Sequence, residues 1–239
     1  MNIALLGYGK MGRIIESLAL KSGHKIVFKS TSDKHEGSLN SADVALEFST
    51  PKAAPNNLKI CFEANIPVVC GTTAWLEHWD SVAEICQQHQ GALVYASNFS
   101  VGVQIFFEMQ RHLSQIMSRH QEYDVSLEER HHLEKKDAPS GTAISLAEIT
   151  MASSKHSKWV LGAAQSTNEL SIEALREPNT PGTHSVFYKS DIDQITMEHQ
   201  AHSREGFAKG ALMAAQWVVG KTGIFSMKDV LHLSHNKHQ

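Results

Sequence analysis

The chain has 239 residues, 41% hydrophobic and 20% charged, with 22 Lys and Arg against 25 Asp and Glu, a formal charge of -3. That composition excludes a disordered chain, and the charge argues against general nucleic-acid affinity while leaving room for a local cationic pocket. Cys61, Cys70 and Cys86 have no ligand spacing, and there is neither an apolar run of membrane-spanning length nor a signal-like start, so the expectation is a cytoplasmic protein with reduced thiols, away from membranes.

In chain order, Ile3–Leu6 reads as a short buried strand running into Gly7-Tyr-Gly-Lys-Met-Gly12, followed by a helix over Arg13–Lys21. A GxGxxG in that context predicts a dinucleotide site. Gly7 permits the tight turn, Gly9 lets the backbone approach a pyrophosphate, and Gly12 allows close helix packing. Lys10 and Arg13 are open between solvent and phosphate. After the second strand, Lys25–Lys29, stands Ser30-Thr-Ser-Asp-Lys34, where an acidic residue commonly serves the ribose. Ser30 and the nearby lysines tolerate a 2'-phosphate whereas Asp33 serves a free ribose, so NADPH and NADH both stand as cofactors.

Val44–Phe48, Ile66–Cys70 and Leu93–Ala96 continue as strands, with helices over Lys52–Ala64 and Leu76–His89 between them. Their carboxyl ends carry Ser49-Thr-Pro51, Gly71-Thr-Thr73 and Ser97-Asn-Phe-Ser-Val-Gly102, polar loops on the edge where a doubly wound sheet binds its ligand. For Thr72, Thr73 and Asn98 the alternative is turn and capping chemistry. Residues 1–100 thus read as a Rossmann-like α/β nucleotide-binding domain. Val101–Arg119 is a long amphipathic helix whose Phe and Met stripe is core. Strands at Asp124–His131, Ser171–Arg176, His184–Tyr188 and Gln194–His199, with one helix at Thr142–Ser153, predict an inserted α+β substrate domain over 101–204 with a mixed, largely antiparallel sheet. A helix at Gly206–Val219 and a short last element at Ile224–Leu231 return residues 205–239 to the first domain, and the His-rich end is expected to fray.

Glu128–Thr142, written EERHHLEKKDAPSGT, holds the densest chemistry. A strand end delivers His131, His132, Lys135 and Lys136, and the Ser140-Gly-Thr142 turn opens a helix whose first amides lack backbone partners. Two cations near one carboxylate offer about 4 kcal/mol each at 4 Å and an effective dielectric near 20, before desolvation. A dianion can be held that way without a metal. Neighbouring imidazoles on a strand point to opposite faces and chelate poorly, and HExxH is absent, so no metal is expected. Purely structural histidines remain the other reading.

Taken together, Gly7-Tyr-Gly-Lys-Met-Gly12, Gly71-Thr-Thr73, Ser97-Asn-Phe-Ser-Val-Gly-Val103, His131-His132 with Lys135, Asp137-Ala-Pro-Ser-Gly-Thr-Ala143, Gly182-Thr-His184 and Phe225-Ser-Met-Lys-Asp-Val230 resemble the 4-hydroxy-tetrahydrodipicolinate reductase family, also called dihydrodipicolinate reductase. The resemblance spans essentially the whole chain. It implies NADPH- or NADH-dependent reduction of a cyclic dicarboxylate to tetrahydrodipicolinate, in the diaminopimelate route to lysine, by a homotetramer joined through the second-domain sheets. Hydride would reach ring C4, protonation of the enamine would follow, and water would leave the 4-hydroxy compound. By motif match, His131 is the candidate proton donor and Lys135 its companion. His132, Lys135, Gly141 and Thr142 would hold carboxylates, with Thr73 where substrate and cofactor meet. Gly7, Gly9, Lys10, Met11, Gly12, Phe48, Gly71, Thr72 and Asn98 would line the nucleotide crevice with Ser30, Ser97 and Phe99, and Arg204 and Phe207 would approach the cofactor from the hinge. An imidazole near its ordinary pKa would supply the proton.

Two positions depart from the pattern: Ala74 follows Gly71-Thr-Thr73 where the family often has glycine, and Pro178 follows Arg176-Glu177 where it usually has glycine. The competing functions are another NAD(P)-dependent dehydrogenase, such as one for amino acids, and a nicotinamide-nucleotide sensor without turnover.

Overall fold

The computed structural model describes residues 1–31 and 34–233; Asp33, with its expected ribose contact, and the His-rich end lie outside the described residues. The chain forms two compact units, residues 1–101 with 205–239, and residues 102–204.

The first unit begins with β1 (Asn2–Leu6), α1 (Lys10–Lys21), β2 (Lys25–Ser30), β3 (His35–Gly37), β4 (Val44–Glu47), α2 (Ala54–Glu63), β5 (Val68–Cys70), α3 (Trp79–Gln88) and β6 (Ala92–Tyr95). Alternation along β1 sends Ile3 and Leu5 to one hydrophobic cluster and Ala4 and Leu6 to another, so the sheet is packed on both faces. Each large side chain buried this way, Phe62 for example, contributes about 1.5–3 kcal/mol relative to exposure. The expected helix over Leu76–His89 is divided into a single 3-10 turn, Leu76–His78, and α3. Trp75, fully buried, donates its indole N–H to the Thr72 carbonyl at 2.8 Å and fixes the chain just before that turn.

The second unit holds α4 (Val101–Met117), β7 (Asp124–His131), α5 (Gly141–Met151), β8 (Lys158–Leu161), β9 (Glu169–Arg176), β10 (Gly182–Lys189) and β11 (Gln194–Ala201). Its sheet has the order β11-β10-β7-β9-β8. β10 pairs antiparallel with β7 and β11, whereas β9 pairs parallel with β7 and β8. The sheet is therefore mixed. Its parallel share comes from α5, which serves as the crossover between β7 and the parallel strands that follow. Leu127, Leu170, Ile172 and Val186 pack with Val103, Phe106, Leu146 and Ala147 to make this unit's core.

The chain then rejoins the first unit through α6 (Glu205–Val218), β12 (Gly223–Phe225) and α7 (Met227–Val230). The expected single last element is thus a strand and a helical turn, and β12 adds to the sheet beside β6. The full order is β12-β6-β5-β4-β1-β2-β3, parallel except for β3. β3, β8 and β12 escape the sequence reading because each is three or four residues long with no full period of alternation. Cys61, Cys70 and Cys86 are buried and unbridged. Burial pushes the Cys61 thiol up to about 12 and Cys86 up to about 11.

Candidate functional site

The chain leaves β1 for β2 on one side and returns to β4 on the other, so the strand order reverses between β1 and β4. Crevices form at such a switch, outside the carboxyl ends of the strands. A cavity of about 480 Å³ lies there, lined by Gly7, Tyr8, Gly9, Ser30, Thr31, Phe48, Ser49, Thr50, Ala53 and Asn57. Gly7 has φ +99°, and a Cβ on it would come within 2.3 Å of the Phe48 carbonyl oxygen; one on Gly12 would meet the Gly7 carbonyl oxygen at 2.4 Å. Gly9, by contrast, faces open space and caps α1 without any side chain, leaving room for a pyrophosphate over the first helical amides. The residues present fit a nicotinamide nucleotide.

Of the other residues expected in the crevice, Lys10 is exposed at the start of α1, while Met11 packs against the core and Gly12 is buried. Gly71, Thr72 and Thr73 follow β5, and Ser97 and Asn98 follow β6, all at the carboxyl edge. Thr72 is turned inward, its hydroxyl oxygen accepting the Ser49 amide at 2.9 Å. Asn98 accepts the Ser100 amide at 2.8 Å, so both make the turn contacts held open for them. Phe99 is in the core with its ring 5.8 Å from that of Phe48. Phe207 is half-buried on the first turns of α6.

Three groups in this unit were not singled out by sequence. Glu47, fully buried at the end of β4, accepts hydrogen bonds from the Ser49 amide and hydroxyl, from Asn57 Nδ2 at 3.1 Å and from the Cys70 thiol at 3.4 Å. Tyr8 bonds Glu16, and Lys29 Nζ reaches the same carboxylate at 2.8 Å. The Lys29 hydrogen bond, followed by that of Tyr8, holds the Glu16 carboxyl below the usual carboxylate range. Lys29, expected to help admit a 2'-phosphate, is therefore already ion-paired.

In the second unit the register of three strands assembles the chemistry. His184 on β10 lies opposite Glu129 on β7, and Arg176 on β9 opposite His131. Opposed residues share a face, so Glu129, His131, His184 and Arg176 come together on the side carrying Leu127. Glu129 is fully buried; His131 and His184 are nearly so, with ring centroids 5.1 Å apart. Ser140 caps α5, accepting the Ala143 amide at 3.2 Å, and its Oγ lies 3.1 Å from His184 Nε2. Gly141 faces open space, as a carboxylate clamp at a helix start requires, and Thr142 is half-buried beside it.

Lys135 Nζ is held by both Asp137 oxygens, at 2.9 and 2.7 Å. His132 Nε2 meets Arg204 Nη2 at 3.2 Å, which places Arg204 with the histidines of this unit. Lys136 is exposed. The loop after Arg176 runs through Pro178 and Asn179, the latter at φ +59°.

The expectation of an unperturbed acid imidazole is overturned. Burial pushes the His131 pKa down to about 4, with Lys135 and Arg176 adding to the effect against the opposing charge of Glu129. Burial, then His131, pushes His184 down to about 3. Both rings are neutral in the resting protein at neutral pH. Glu129, His131 and His184 also place ligand-type atoms within 4.8 Å of one another, a grouping hidden from sequence because the third member comes from β10. The Glu129 oxygens are, however, already engaged by Arg176 and by the Ser140 amide, so we assign the cluster to hydrogen bonding.

A nucleotide crevice in one unit, and in the other a cluster of Lys135, Arg176 and Arg204 with two buried imidazoles beside a helix start, fit a nicotinamide-nucleotide-dependent reductase. Residues 1–99 match the family described as dihydrodipicolinate reductase, N-terminus, and residues 102–231 that described as dihydrodipicolinate reductase, C-terminus. The chain belongs to the dihydrodipicolinate reductase family. It is 51% identical over 234 residues to a 4-hydroxy-tetrahydrodipicolinate reductase of Christiangramia forsetii, covering 97% of this chain and 98% of that one. It is 35% identical over 249 residues to the enzyme of the same name from Rickettsia bellii, covering 100% of this chain and 97% of that one. In fold the chain is similar to a dipicolinate-bound dihydrodipicolinate reductase from a Paenisporosarcina species, with TM-score 0.73, 19% identity, and coverage of 95% and 97%.

Proposed function

We propose that the chain performs its family's reaction by keeping its acid uncharged until the substrate arrives. The reaction is NAD(P)H-dependent reduction by a 4-hydroxy-tetrahydrodipicolinate reductase in the diaminopimelate route to lysine. The observation that supports the mechanistic reading is His131, buried and neutral, opposite Arg176 on the sheet and near enough to Lys135 for that ammonium to act on its pKa. Lys135, His132 and the amides and hydroxyl around Gly141–Thr142 bind the two carboxylates, with Lys135 exchanging Asp137 for a substrate oxygen. Burial is the main cause of the low His131 pKa, with Lys135 and Arg176 adding to it; a dianion beside the ring supplies opposing charge, so the imidazole takes up a proton as the substrate binds. When bound, the reduced nicotinamide supplies the hydride. His131 then delivers its proton to the enamine carbon, while Lys135 favours the negative charge that develops on the substrate.

The crevice glycines Gly7, Gly9 and Gly12, with Ser30 and the loops of Gly71–Thr73 and Ser97–Asn98, hold the nucleotide. Both NADPH and NADH serve: Ser30 repels neither, and Lys29 is shared with Glu16. We further infer a cytoplasmic homotetramer, with neither nucleic acid nor membrane as partner. Among the described residues no helix is long and apolar enough to cross a membrane, and three unbridged thiols accord with a reducing compartment. The sheet face opposite Leu127, bearing Ser126, Glu128, Arg130 and Phe187, is the surface we assign to subunit contact; light scattering giving a monomer would dismiss this. The activity is tested by following NAD(P)H oxidation on adding enzymatically generated 4-hydroxy-tetrahydrodipicolinate, with amino acids as competing substrates. Turnover of an amino acid instead would favour the other dehydrogenase reading, and nucleotide binding without turnover the sensor.

A further inference from the structure

We propose that Glu129 is the positioning residue of the substrate half, orienting His131 and fixing both loops that hold the carboxylates. The proposal rests on the reading of His131 as the acid.

Glu129 stands in the apolar phase of β7, between Leu127 and His131, with no exposed surface. Such a carboxylate is retained only if its oxygens are fully engaged. Arg176 reaches Oε1 with both terminal nitrogens at 3.3 Å, and the same guanidinium bonds the carbonyls of Lys135 at 3.3 Å and Asp137 at 2.6 Å. Through Arg176, Glu129 therefore anchors the loop that carries the Lys135 ammonium. Oε2 accepts the Ser140 amide at 3.0 Å, which anchors the start of α5 and the Gly141–Thr142 amides.

The same oxygen lies 3.5 Å from His131 Nδ1 and 3.8 Å from His184 Nε2. His131 Nδ1 is buried and has no hydrogen-bond partner among the described residues, the Glu129 carboxylate standing beside it at 3.5 Å. The nearby Glu129 charge favours a proton on Nδ1, which leaves Nε2 as the atom that gains and gives the catalytic proton. Gly182 keeps that side clear, because a Cβ there would stand 3.1 Å from His131 Nε2. The groups facing the His131–Glu129 pair are His184 from β10, Arg176 from β9, and Lys135 and Asp137 from the loop, with His199 behind His184. Among these, Glu129 is the buried anion that opposes Lys135 and Arg176.

The test compares Glu129→Gln with the parent and with His131→Ala. Glutamine keeps one oxygen for Arg176 or Ser140 and removes the charge. We expect kcat to fall at least 30-fold and the high-pH limb of the kcat profile to move down by about one unit or more. The Kd for NADPH should stay within twofold, and the double variant with His131→Ala should lose no more than His131→Ala alone. Glu129→Asp should recover part of kcat. Arg176→Lys, which keeps the charge but removes the forked contacts, should raise the Kd for pyridine-2,6-dicarboxylate at least fivefold, and it tests the proposal even where Glu129→Gln fails to fold. An unmoved pH profile, additive losses in the double variant, or an Arg176→Lys affinity equal to the parent's would overturn the positioning role. Full activity in His131→Ala would instead remove the reading on which it rests.

Discussion

Each unit buries one glutamate near the carboxyl end of a strand and satisfies it with different partners. Glu47 is met by neutral donors: a serine, an asparagine, a backbone amide and a thiol. Glu129 is met by a guanidinium and a helix-start amide, with two imidazoles alongside. The first arrangement ties the Ser49 loop to α2 and β5 and, among the described residues, holds no imidazole. The second places a titratable ring among two anions, Glu129 and Asp137, and two cations, Lys135 and Arg176, so that charge brought to the site acts on its protonation. Binding and proton transfer thus ask for differently built buried acids.

The strongest way to break this contrast is to remove the ring or the ammonium. His131→Ala and Lys135→Ala should each lower kcat by about 10²–10⁴-fold, the range for general acid catalysis, with nucleotide titrations unchanged. Unchanged kcat in both would take these residues out of the chemistry. Glu47→Gln should act on the other side, raising the Kd for NADPH by about 2–10-fold, as expected for one or two disturbed hydrogen bonds, while pyridine-2,6-dicarboxylate binds as before.

Acid stability sharpens the comparison. The folded pKa values of His131 and His184, about 4 and about 3, lie below the ordinary 6.5. The unfolded chain therefore binds more protons, and stability is lost as pH falls from about 6.5 through 4. Urea midpoints at pH 7.5 and 5 should show this loss, and His184→Gln should flatten it. The cofactor half should discriminate weakly, with kcat/KM for NADPH and NADH within tenfold; a larger preference for NADH would overturn the expected dual use, and a larger one for NADPH would contradict the sharing of Lys29 with Glu16.

The smallest effect concerns Ala74, which has φ +59°, a left-handed conformation costing a residue with a Cβ about 1–2 kcal/mol. Ala74→Gly relieves that cost but frees the unfolded chain, for a net gain of about 0.5 kcal/mol. A raised urea midpoint at unchanged slope would report it.

Much of this was legible in the chain. Ile3–Leu6 before Gly7-Tyr-Gly-Lys-Met-Gly12 fixes the crevice because steric demands at Gly7 and Gly12 are local. The cationic turn at His131–Thr142 is contiguous and so visible. Arg176 and His184 as partners were not, since only strand register brings residues 45 and 53 positions beyond His131 onto its face. Glu129 had a signal that went unused: an acid in phase with Leu127 and His131 marks a buried charge. The depressed His131 pKa could not be read at all, because it depends on burial by elements far apart in sequence.

The most direct measurement of the account is calorimetric titration of pyridine-2,6-dicarboxylate at pH 7 in buffers of differing ionisation enthalpy, for the parent and for His131→Ala. Net proton uptake in the parent, lost in His131→Ala, is the predicted result. Binding with no proton uptake in the parent would contradict the claim that the substrate charges its own acid.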